Sequence, residues 1–175
     1  MSPPIPTLED LLSLVAGLGC RVEQRPSLAA SLGFSGITTG RTIIIDSSLS
    51  AREKKSVLAE EIGHILHAPP ESHAVFYSPR FRRLDFDRRS RLAYRVGRDE
   101  TRARRWAAEF LVPQSAFLEF AQTGPHSLPD WCDYFEVSEW LMLVRFQLTE
   151  IRSYPASHAN RSLNNKQLQR GEPLW

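Results

Sequence analysis

A chain of 175 residues, 42% hydrophobic and 24% charged, has the length and composition of one compact soluble domain and is short for two. Its formal charge of +2 is nearly balanced, so overall charge demands no partner of one sign. Two cysteines, Cys20 and Cys132, lie far apart without CxxC spacing, which excludes a disulfide framework and a thiolate zinc site and fits free thiols in a reducing compartment. The first residues carry no basic group, and the apolar stretch around Leu11 to Leu18 is short and broken by Glu9, Asp10 and Ser13. Neither a signal peptide nor a membrane span is expected, and the chain reads as cytoplasmic.

Leu8, Leu11, Leu12, Val15 and Leu18 recur at helical spacing until Gly17 and Gly19 stop the run. Cys20 to Arg25 alternates as a short strand. Phe34 to Thr38 and Arg41 to Asp46 read as a hairpin about Thr39-Gly40, with Ile43, Ile44 and Ile45 forming a buried strand. Three short strands after one helix point to a small antiparallel sheet. Ser50 and Glu53 form a capping box for a helix that runs to about His67, where Pro69-Pro70 ends it. Glu71 to Arg95 is polar, rich in arginine and weakly periodic, so it reads as a long loop. Helices follow at about Val96 to Leu111 and Gln114 to Ala121, then, after Thr123-Gly124-Pro125, at Leu128 to Phe135 and Ser138 to Leu148. The expected fold is α+β: a three-stranded antiparallel sheet packed with about five helices, in one domain over residues 1–152. Residues 153–175, rich in Asn, Gln, Ser and Arg, read as a mobile tail.

The helix from Ser50 carries the first candidate chemistry. At ~100° per residue, with Glu60 as zero, His64 falls near ~40°, His67 near ~−20° and Glu61 near ~100°. Leu58, Ala59, Ile62, Ile65 and Leu66 all fall on the opposite side, so one face is apolar and the other carries two carboxylates and two imidazoles. Gly63 sits among them although glycine in a helix interior costs about 1 kcal/mol relative to alanine, which suggests a close approach. On the next helix, Ala103, Trp106, Ala107, Phe110 and Leu111 form an apolar stripe, and Glu100 extends it. A carboxylate aimed at a core must be neutralised, and a metal ion does so. Glu60 and His64 on one helix and Glu100 on the other can surround one cation.

Plainer readings stand beside this one. Glu60 and Glu61 are also compatible with solvated surface charge, and His67 with an exposed or supporting role. Glu61-x-x-His64 is half of a di-iron pattern, but no second Glu-x-x-His completes it. Tyr94 and His73 are candidates to stabilise an oxyanion. Leu128 to Leu148 has helix-turn-helix spacing, yet its second helix carries only Arg145 as a basic residue and reads as core. Eleven arginines between Arg80 and Arg105 read as a solvated face, with nucleic-acid binding as the rival and not the expectation.

Leu58-Ala59-Glu60-Glu61-Ile62-Gly63-His64 resembles the HExxH-type helix of the ImmA/IrrE family of bacterial metallopeptidases. Glu100 to Pro113, a glutamate followed by an Ala-rich helix and a closing proline, is similar to that family's second motif, and the match spans about residues 40 to 150. The resemblance implies a zincin-like metal helix, zinc, and a protein substrate such as a helix-turn-helix repressor of phage or mobile-element regulation. It departs at Glu60, where the family pattern begins with His. The implied metal ligands are Glu60, His64 and Glu100, an oxygen-rich set that also suits Mn²⁺ or Fe²⁺. Glu61 is then the catalytic base that takes a proton from water in the open coordination position. A catalytically silent metal-binding protein that only binds such a repressor is the alternative.

Overall fold

The computed structural model describes residues 4–28, 34–67, 83 and 85–149. The remainder of the expected loop (71–82 and 84) and the expected tail (153–175) lie outside the described residues. In chain order the elements are α1 (Leu8–Gly17), β1 (Arg21–Arg25), β2 (Gly36–Thr39), β3 (Thr42–Asp46), α2 (Ala51–His67), α3 (Phe86–Leu111), α4 (Gln114–Gln122), α5 (Leu128–Phe135) and α6 (Glu139–Leu148). This is the expected α+β fold, with six α-helices among the described residues.

The sheet differs from expectation in one respect. Its order is β1-β3-β2, with β2 antiparallel to β3 but β1 parallel to it, Val22 opposite Ile43 and Gln24 opposite Ile45. The sheet is therefore mixed. The physical reason lies in β3, whose Ile43 and Ile45 are buried while β1 exposes Arg21 and Arg25. The most apolar strand takes the centre, where both faces can be covered, and leaves polar strands at the edges. The hairpin makes β2 antiparallel to β3, and β1, which runs opposite to β2, lies parallel to β3. The hairpin loop is Gly40–Arg41, one residue later than expected.

Caps fix where the helices begin. Thr7 and Asp10 exchange backbone and side-chain hydrogen bonds at the start of α1, and Ser50 and Glu53 do the same for α2, as its sequence led us to expect. Helix α3 starts ten residues before the expected Val96, with the Asp85 carboxylate accepting from Arg88 N at 2.8 Å. Residues 86–95 are almost wholly exposed, so these first turns of the helix have no apolar stripe for periodicity to detect.

The core is shared by α1, the sheet, α2, α3 and the three C-terminal helices. Buried polar groups tie the last two helices to the rest. Lys55 Nζ donates to the Phe135 carbonyl at 3.0 Å, Ser138 N to Ser56 Oγ at 2.9 Å, and Arg145 Nε to the Val112 carbonyl at 2.7 Å. With Phe135, Val137, Leu141 and Met142 buried as well, α5 and α6 are packed into the core.

Helices α2 and α3 meet at Gly63. A Cβ there would lie 2.7 Å from the Ala103 carbonyl oxygen and 2.8 Å from its Cα. Those atoms belong to the α3 backbone and cannot swing aside, so the two helices must part if residue 63 gains a side chain. Gly63→Ala should accordingly destabilise the fold by about 1–3 kcal/mol, the range for overpacking. Gly97→Ala, whose Cβ would have no neighbour within 4 Å, should stabilise it by about 0.5–1 kcal/mol through helix propensity. Paired denaturant titrations measure both, and equal effects of one sign would refute the assigned contact.

Candidate metal centre

Helix α2 places Glu60 and His64 one turn apart on the face toward α3, and the contact at Gly63 brings Glu100 of α3 alongside them. One donor atom from each of Glu60, His64 and Glu100 lies within 4.8 Å of the others. His64 Nε2 and Glu100 Oε2 are 3.4 Å apart. Neighbouring donors on a tetrahedral ion with bonds near 2.1 Å are separated by roughly 3.4 Å, so this donor set fits a divalent cation. The side chains are 17%, 14% and 22% exposed respectively, which leaves the cluster at the edge of the core with access from solvent. Glu100 therefore flanks the buried stripe of α3 instead of lying within it. Its neighbour Asp99, which periodicity did not single out, is the acid buried in that stripe, with Arg102 at 4.0 Å.

Glu61 faces a different direction. Its carboxylate is buried between α2 and the edge strand β2, where Thr38 Oγ1 donates to Oε2 at 2.7 Å. Burial pushes its pKa up to about 7, the Thr38 bond opposes the rise, and the charges of Glu60 and Glu100 add to it. Gly36 permits the close approach of β2: a Cβ there would meet Val57 Cγ1 at 2.5 Å and Glu61 Oε1 at 3.1 Å. For His64, burial alone would lower the pKa, but the hydrogen bond and charge of Glu100 outweigh it and raise the imidazole above its ordinary value.

Sequence reasoning missed two residues that bond the candidate side chains. Arg104 Nε donates to Glu60 Oε1 at 2.7 Å, and its Nη2 lies 3.7 Å from Glu100 Oε2. Its place four residues after Glu100 was a readable signal for an ion pair along α3. Its bond to Glu60 depends on how the two helices cross. Thr38 carried no signal at all, because only the tertiary fold lays β2 over Glu61. Of the other candidates, His67 is exposed at the end of α2, Tyr94 is 72% exposed on α3, and His73 lies outside the described residues.

The family model Peptidase_M78, described as IrrE N-terminal-like domain, matches residues 16–147, about three quarters of the chain. No curated protein and no solved structure matches.

The burial of Glu61 has a consequence for stability. A carboxyl whose folded pKa is raised from 4.5 to about 7 stabilises the folded state below pH 4.5, and that contribution disappears as pH rises to about 7. Metal-free protein should lose about 3 kcal/mol from this source across that window, and Glu61→Gln should not. Denaturant titrations at several pH values in the presence of a chelator would show the difference. Parallel curves for the two proteins would mean that Glu61 ionises as freely folded as unfolded.

Proposed function

The chain belongs to the IrrE N-terminal-like (Peptidase_M78) family, a metallopeptidase family, and from that premise we propose that it is a metal-dependent endopeptidase acting on a regulatory protein. One observation carries the reading: donors from two helices converge on a point beside a buried carboxylate of intermediate pKa. Glu60, His64 and Glu100 would hold the ion, zinc by resemblance, with Mn²⁺ or Fe²⁺ also suited to two carboxylates and one imidazole. Three protein ligands leave coordination positions open, as catalytic centres require.

A divalent ion in this centre supplies Lewis acidity toward water and toward a peptide carbonyl. The protein's own groups supply the rest. Glu61, with a pKa near the working pH, accepts the proton of the attacking water and returns it to the leaving amine. Thr38 holds Glu61 Oε2, which restricts rotation of the carboxylate and favours the ionised form needed to accept a proton. The rigid pairing of α2 and α3 keeps the base and the ion-holding groups at fixed separation, so positioning is set before substrate arrives.

A DNA-binding repressor is the proposed substrate, by resemblance to the ImmA/IrrE family. The second reading is a catalytically silent metal-binding protein that recognises such a repressor without cutting it. It is favoured by the Arg104 guanidinium, which already satisfies Glu60.

Three variants and one substrate comparison separate these readings. Purified protein should hold one divalent ion per chain by mass-spectrometric metal analysis, and His64→Ala and Glu100→Ala should each lose it. Full occupancy in Glu100→Ala would remove Glu100 from the ligand set. Glu61→Gln should retain the ion and lose at least 10²-fold in cleavage rate, the low end for removal of a general base. The metal-loaded protein should cut its partner repressor at one site and digest casein slowly. Binding without cutting would leave the silent reading, and rapid casein digestion would count against a dedicated regulator.

A further inference from the structure

The metal centre contains a cation of its own. Arg104 lies one turn beyond Glu100 on α3, and its guanidinium spans to α2, bonding Glu60 Oε1 at 2.7 Å while remaining 3.7 Å from Glu100 Oε2. It thus contacts both carboxylates of the proposed ligand set. Neighbouring arginines turn elsewhere: Arg102 approaches Asp99 and Arg105 bonds Glu109. The side chain is half exposed, so nothing in the core forces the guanidinium inward. The pull comes from the acidic cluster itself.

Charge counting shows why such a group belongs here. Two imidazoles, one carboxylate and a divalent ion sum to +1, whereas two carboxylates, one imidazole and the same ion sum to zero. Glu61, once ionised, would bring the second set to −1. Arg104 raises that total by one unit, and it does so through a bond to Glu60, the extra carboxylate.

We propose that Arg104 is the built-in counter-cation of this centre: it offsets one unit of the charge of Glu60 and Glu100 in the metal-free protein and weakens binding of a divalent ion. The proposal rests on Glu60, His64 and Glu100 being the ion-holding set. In the metal-free state the guanidinium keeps two carboxylates from repelling each other across the α2–α3 crossing. When an ion enters, either the guanidinium gives up its bond or two cations share the same oxygens, and both lower affinity. Arg104 would thereby temper a ligand set that two carboxylates otherwise make strongly attractive to any divalent ion.

The test compares wild type, Arg104→Gln and Arg104→Lys in their affinity for Zn²⁺ and Mn²⁺, by competition with a chromophoric chelator, and in melting temperature with and without metal. Arg104→Gln should bind both ions more tightly, on the order of tenfold for loss of one nearby charge in a partly exposed site. Its metal-free form should melt lower than wild type, and metal should raise its melting temperature by more. Arg104→Lys keeps the charge and should stay within about threefold of wild type. Equal affinity in wild type and Arg104→Gln would reduce Arg104 to an idle surface pair and overturn the proposal alone. Weaker binding in Arg104→Gln would also overturn it, by showing that the guanidinium orients the ligands. Absence of binding in all three proteins would overturn both this proposal and the metal-centre reading.

Discussion

The contact between Gly63 and the Ala103 backbone sets the geometry of everything around the centre. Helices that meet through ordinary side chains stand 8–10 Å apart, and small residues bring them toward the near end of that range. Here a missing Cβ on α2 faces a methyl-bearing turn of α3, with only backbone between them. Glu60 and Glu100 are short-reaching side chains on different helices, and each can face the same point only because the crossing is this close. The glycine lies between Glu60 and His64 in sequence, so the point of closest approach and these two candidate ligands occupy a single turn of α2. A wider crossing would leave three exposed acidic and imidazole groups with no common focus.

That closeness concentrates negative charge. Glu60, Glu61 and Glu100 are gathered where burial penalises ionisation, and the structure answers each differently. Glu100 draws a proton toward His64, whose pKa rises despite burial. Glu60 takes a guanidinium from Arg104. Glu61, the most buried, receives only a neutral hydroxyl from Thr38, and its pKa remains high. A hydroxyl donor stabilises a carboxylate less than a cation does. The difference in partners is thus what sets the buried Glu61, with its raised pKa, apart from the Glu60 carboxylate paired with a guanidinium and the Glu100 carboxylate paired with an imidazole.

Much of this was legible in the sequence, because much of it is periodic. Glu60 and His64 four residues apart and an apolar face opposite them follow from helix geometry alone, and the structure brings both residues together with Glu100, although Glu100 flanks the buried stripe of α3 and Asp99 lies within it. The capping box at Ser50 was equally local. What escaped depended on relations between elements. Parallel pairing of β1 with β3 is a choice among strand orders, and local alternation does not encode it. The first turns of α3 have no buried side, so a method that looks for stripes sees a loop. Thr38 became visible only once β2 lay across α2, and the reach of Arg104 only once α2 lay against α3.

The division of labour along α2 follows from where its polar anchors fall. In its first half, Lys55 and Ser56 are buried and bonded to the backbone of α5 and the loop before α6. In its second half, Glu60, Glu61 and His64 face α3, β2 and solvent. Burying an ammonium beside carbonyls has a desolvation cost, visible in the lowered pKa of Lys55. Apolar residues would pack those positions with less penalty, but they would tolerate sliding or rotation of α2 by a fraction of a turn. A donor that must meet one particular carbonyl does not. Because ~100° separates successive residues, a rotation of that size would turn one of Glu60 and Glu61 into the other's direction and carry the other away from both. Glu60 would then leave Glu100, and Glu61 would leave Thr38. The buried polar anchors at the start of the helix therefore protect a distinction that matters only at its end.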